Sequence, residues 1–149
     1  MIAMVDVAVE TVWERADVWI VEGHDSLSEA RTLCRLLAGD AGWQQDAQDD
    51  LELVVSELVT NACRHVSGPC RMSLDASADA VVVEVWDTDP HVPEYPSSIT
   101  EPQNEFALSC GGYGLAIVAS LCERLEFLPQ GSGGKIVRAI YRPGSAVQW

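Results

Sequence analysis

The sequence predicts an α+β fold, a two-layer sandwich in which helices cover one face of a mixed, mostly antiparallel sheet. Three observations predict it. Residues 49–66, DDLELVVSELVTNACRHV, set Leu51, Val54, Val55, Leu58, Val59, Ala62 and Val66 at three- and four-residue steps, the spacing of one helix face. Residues 71–76 and 80–86 are short apolar runs joined by Ser-Ala-Asp, the pattern of a hairpin. Residues 126–128 and 135–141 flank the turn Pro129–Gly134 and close the chain with a second hairpin.

Taken in order, residues 2–22 contain VDVAVETVW and ADVWIV, runs suited to one or two edge strands. His24-Asp25-Ser26 supplies turn and N-cap chemistry, and Leu27, Ala30, Leu33, Cys34, Leu37 and Ala38 then repeat at helical spacing over 26–39. Trp43 follows on a connector and is expected to plug the core. Asp46, Asp49 and Asp50 stand where the central helix begins and favour its positive end. Ser67-Gly68-Pro69 makes a turn into the first hairpin, whose Trp86 is expected in the core. From Asp87 to Ser109 the pattern dissolves, with Pro90, Pro93, Pro96 and Pro102 denying regular hydrogen bonding. Such a segment inside a domain is commonly a lid or simply disordered, here over 88–110. A last helix is expected over 115–125, with Leu115, Val118, Leu121, Cys122 and Leu125 buried and Arg124 near its C-terminal end.

At 149 residues and 48% hydrophobic content the chain fits one domain, 1–149, with its core over about 26–142. A net charge of −14 argues against nucleic acid or an anionic membrane as partner and suits a basic or neutral protein surface. No apolar run reaches membrane-span length and MIAMVDVAVE lacks a signal peptide's basic flank, so a cytoplasmic protein is expected. Five cysteines without a C-x-x-C pair disfavour a disulfide framework or a zinc site, and most should be core thiols. Neither a G-x-S-x-G elbow nor a G-x-x-x-x-G-K-[ST] phosphate loop occurs.

The chemistry-bearing residues lie on the central helix and after it. Glu57 and Asn61 are one turn apart at the edge of the apolar stripe. A carboxylate there can take a proton, and an amide oxygen beside it can ligate a hard cation such as Mg²⁺; the same pair also suits a solvated acid and a locally hydrogen-bonded amide. Later, VVVEVWDTD over 81–89 reads as a strand ending in acids, and GGYGL over 111–115 as a glycine turn opening a helix.

Helix with E-x-x-x-N-A, strand ending in Asp, then glycine turn and helix: this order resembles the GHKL (histidine-kinase-like) ATPase superfamily with its N, G1 and G2 boxes. ELVTNA, GGYGLAIV and GGKIVRA look most like its bacterial anti-sigma factor and serine-protein kinase branch. The resemblance implies a histidine-kinase-like ATP-binding domain with ATP and Mg as cofactors. It makes Glu57 catalytic, Asn61 the Mg²⁺ ligand, and Asn61, Asp87, Asp89, Gly111, Gly112, Gly114 and Leu115 the cofactor-binding set.

In that scheme Asp87 accepts a hydrogen bond from the adenine amine, the glycines bring backbone N–H groups to the phosphates, and Glu57 orients or deprotonates the nucleophile. The nucleophile would be a serine of a partner protein, a sigma factor or its antagonist, and homodimers also belong to this branch. An alternative reading is a catalytically weak or nucleotide-independent module that sequesters such a partner.

The chain departs from the boxes at Asp89, where the family carries glycine, at Tyr113, where many relatives are basic, and at Ile136, where a threonine is usual. It also carries no Lys or Arg between Arg71 and Arg124, so phosphate charge falls to Mg²⁺, the glycine-turn amides and the helix dipole, with Arg64 or Lys135 as candidate additions.

Overall fold

Alternation of buried and half-buried side chains builds the sheet, and a computed structural model describes it for residues 14–20, 26–65, 70–90, 114–131 and 133–144. The elements run β1 (Glu14–Ile20), α1 (Ser26–Asp40), α2 (Gln45–His65), β2 (Cys70–Ala76), β3 (Val81–Asp87), α3 (Gly114–Leu121), β4 (Arg124–Pro129) and β5 (Lys135–Tyr141). The five strands lie in the order β1-β2-β3-β5-β4, and every pair is antiparallel. The α+β class therefore holds, with no parallel pair among the described strands. Because β3 and β5 are neighbours, the chain leaves the sheet after Asp87, passes through α3, returns on the edge strand β4 and re-enters the centre.

On the helix side Met72, Leu74, Val81, Val83, Val85, Val137 and Ala139 pack against Leu51, Val54, Val55, Leu58 and Val59 of α2, with Ala30, Cys34 and Ala38 of α1 completing the layer. Burial of these side chains, about 25 cal/mol per Å² of apolar surface, is the main favourable term. Trp43 plugs one end as expected: it is buried, donates Nε1–H to the Ala78 carbonyl at 3.2 Å and lies 5.6 Å from the Tyr141 ring. The opposite face carries cross-strand charge pairs, including Arg71 with Asp17 and Arg138 with both Glu84 and Glu126.

Several expectations are corrected. The central helix starts at Gln45, four residues earlier than predicted, because Gln48 N bonds to the Gln44 carbonyl and the Gln48 side chain to that of Trp43. Asp49 and Asp50 thus lie inside the helix, where Asp50 accepts the Tyr141 hydroxyl. The last helix ends at Leu121: Cys122 N closes its final bond to Val118 O, and Glu123 N already pairs with Ile140 O. Arg124 and Leu125 belong to β4 instead. Trp86 is half-buried on the open face, since Val81, Val83, Val85 and Asp87 take the helix side of β3. There it lines a shallow cleft with Arg15, Arg71, Ser73, Glu84 and Ile136. Within the region expected to form edge strands, Glu14–Ile20 does so; residues 2–13, 21 and 22 lie outside the described residues.

Candidate functional site

Strand periodicity puts Asp87, the last residue of β3, on the helix side of the sheet directly opposite Lys135, the first residue of β5. Both are almost fully buried. Lys135 Nζ donates to Asp87 Oδ1 at 3.0 Å and to the Asp89 carbonyl at 3.1 Å, with Asp89 Oδ2 3.9 Å away. The Asp89 backbone N–H also donates to Asp87 Oδ1, at 2.9 Å. One carboxylate oxygen is thus used twice, and no described residue donates to Oδ2.

Gly134 makes this pairing geometrically available. Its φ is +83°, and a β-carbon there would run into the Asp87 carbonyl oxygen and come within 3.2 Å of Thr88 Cα. Only glycine lets the β4–β5 turn lie so close to the end of β3. The same turn is closed by Gln130 N to Gly134 O at 3.0 Å.

Glu57 and Asn61 sit partly exposed along the border of α2's buried stripe. The Glu57 carboxylate lies against Gly114 at the start of α3, where a β-carbon would overlap Oε2. Helix α2 thus brings the acid of its E-x-x-x-N motif to Gly114, the last glycine of the G-G-Y-G run. Leu115 is 1% exposed, so its side chain belongs to the core and only its backbone N–H is available to a ligand.

Beyond Asn61, Cys63 reaches Cys70 at the start of β2, and the Cys70 thiol is close enough to Asp87 and Lys135 to feel their charges. Burial, more than any charge, pushes that thiol up to about 12. From Glu57 to Cys63 the helix rises about 9 Å, so Gly114 and the strand-end acid stand at two ends of one elongated site.

The predicted residues therefore divide. Glu57 and Gly114 meet, Asp87 and Asp89 form a cluster at the other end, and Asn61 lies between on α2. Gly111, Gly112 and all of the lid-like segment after Pro90 lie outside the described residues. The ammonium of Lys135, a candidate for phosphate charge, is here engaged by Asp87 and the Asp89 carbonyl; the side chain of Arg64 lies outside the described residues. Gly134 was missed as a site residue, and Lys135 was expected at the phosphates rather than beside Asp87. Their signal was the GGK run itself, a lysine leaving a glycine pair at a strand start.

These residues fit an adenine nucleotide. Glycines at both ends occupy places a β-carbon would fill, Asp87 Oδ2 takes no hydrogen bond from the described residues, and α3 presents its N-terminus beside Glu57. Among the described residues no three His, Cys, Asp or Glu groups cluster to hold a metal. Mg²⁺ at Asn61 would take its remaining ligands from phosphate and water, its common mode beside nucleotides.

No described helix is long and apolar enough to cross a membrane. No curated protein matches the chain at a significant level. The family profile of the histidine kinase-like ATPase domain matches residues 22–141, from just before α1 to the end of β5, and leaves β1 outside the match. With the E-x-x-x-N helix, the strand-end acid and Gly114 placed on this sheet, the chain belongs to the histidine kinase-like ATPase domain family, whose fold implies ATP binding.

Proposed function

We propose that the chain is an ATP-dependent regulator of the anti-sigma factor type, which transfers the γ-phosphate to a serine of a partner protein in the cytoplasm. The observation that supports this most directly is the Glu57 carboxylate packed against Gly114, which sets a general base at the mouth of a helix N-terminus. When bound, Mg-ATP supplies the phosphoryl group and the charge neutralisation that this acidic chain lacks. Glu57 accepts the proton of the attacking serine hydroxyl, Asn61 offers its amide oxygen to Mg²⁺, and Asp87 Oδ2 accepts one N–H of the base. The net charge of −14 favours a partner with a basic or neutral surface, a sigma factor or its antagonist, and the branch's homodimer is part of the same proposal.

Calorimetric titration with Mg-ATP tests it, using wild type, Asn61→Ala and Glu57→Gln. Wild type binds, Asn61→Ala and EDTA weaken binding at least tenfold, and Glu57→Gln binds normally but releases no ADP. Equal affinity in EDTA removes the Mg²⁺ role, and unaltered ADP release by Glu57→Gln removes the base.

A second reading is favoured by one observation. The charge of Asp87 is already paired by Lys135, so the base-recognition end does not need a ligand for its charge balance. A module that sequesters its partner with little help from nucleotide follows from that, and absence of binding at millimolar Mg-ATP selects it.

A further inference from the structure

Two of the cysteines come together although no C-x-x-C motif announces them. Cys63, near the end of α2, and Cys70, the first residue of β2, have their Sγ atoms 4.0 Å apart. A disulfide needs about 2.05 Å between sulfurs, a gap that side-chain rotation of this order can close. Their exposures are complementary: Cys63 is exposed, Cys70 is buried, and both are thiols in this structure. An accessible thiol backed by a shielded one is the arrangement in which an oxidised first sulfur is captured before it oxidises further.

We propose that Cys63 and Cys70 form a peroxide-responsive oxidation site, closing reversibly to an intramolecular disulfide. The oxidant is hydrogen peroxide or an organic hydroperoxide. The Cys63 thiol gives up its proton and its sulfur attacks one peroxide oxygen; the O–O bond breaks, Cys63 becomes a sulfenic acid, and the other oxygen takes up that proton and leaves as water or alcohol. The Cys70 sulfur then attacks the Cys63 sulfur, the S–O bond breaks, and the displaced hydroxide takes the Cys70 proton. In sum, two thiols and one peroxide give one disulfide and two molecules of water, or one each of water and alcohol, with both sulfurs oxidised and both peroxide oxygens reduced. Burial keeps Cys70 protonated until the second step, so the exposed Cys63 is the first to react. The bond ties the end of α2, two residues past Asn61, to the strand beside Asp87.

The chain provides its own assay, because trypsin cuts after Arg35, Arg64 and Arg71 and so separates the two cysteines into peptides 36–64 and 65–71. The reduced full-length protein is treated with hydrogen peroxide, blocked with N-ethylmaleimide and digested without reductant. The expected product is the 36–64 and 65–71 pair joined, two hydrogens lighter than the separate peptides and released by dithiothreitol. In Cys70→Ser, Cys63 should instead proceed to the sulfinic acid. Cys63→Ser, altered at the exposed position, should leave Cys70 unmodified after the same peroxide treatment. Unlinked 36–64 and 65–71 in peroxide-treated wild type, or Cys63 joined to any other cysteine or to a second chain, overturns the proposal.

Discussion

Lys135 Nζ stands 3.0 Å from Asp87 Oδ1, with the two side chains only 6% and 2% exposed. A buried ion pair contributes little over a well-packed neutral pair, but removing one partner strands the other charge and costs about 3–5 kcal/mol. Asp87→Asn and Lys135→Met should each destabilise by that order, and the double variant Asp87→Asn with Lys135→Met should cost much less than the sum. Urea unfolding of the four proteins measures the cycle. Additive losses would mean that the two groups do not act as a pair.

Gly114→Ala tests the approach of α3 to Glu57. The obstructing atom is the end of a flexible side chain, so the fold should accommodate the methyl group while Glu57 is displaced. The melting temperature should stay close to wild type and ADP release should fall at least tenfold, about 1.4 kcal/mol of barrier. A stable variant with full turnover would place the catalytic acid elsewhere.

Gly134→Ala differs because what it meets is backbone. At φ +83°, with the Asp87 carbonyl in the way, neither the residue nor its neighbour can yield cheaply. Strain of about 1–3 kcal/mol is expected, together with disturbance of the Lys135–Asp87 bond. Urea unfolding should therefore rank Gly134→Ala well below Gly114→Ala in stability.

Burial pushes the thiols of Cys34 and Cys122 up from 9.0 to about 12. Folded chains thus keep protons that unfolded chains release above 9.0, so stability falls as pH rises from about 9 to about 12 and these groups leave it unchanged below that window. Each thiol contributes a slope of up to about 1.4 kcal/mol per pH unit. Thermal melts between pH 8 and 11 should show the decline, and Cys34→Ala should flatten it. An equal slope in that variant would assign the loss to other groups.

The sequence by itself determined the elements and the three boxes. Helix α1 and strand β5 begin where the residue patterns put them, and the apolar stripe of α2 is the one that packs on the sheet, because periods of 3.6 and 2 are local properties of the chain. The order of the E-x-x-x-N helix, strand-end acid and glycine turn was likewise legible as a family pattern.

Only the tertiary structure decided which of these residues touch. Glu57 meets Gly114 because α3 packs on α2, and Lys135 meets Asp87 across 48 residues because the chain returns to the sheet beside β3 rather than beyond β4. Trp86 went to the open face, Leu125 into a strand, and Cys63 came to Cys70 for the same reason. Register and strand order are settled by the packing of the whole sheet, and no local window of sequence contains them.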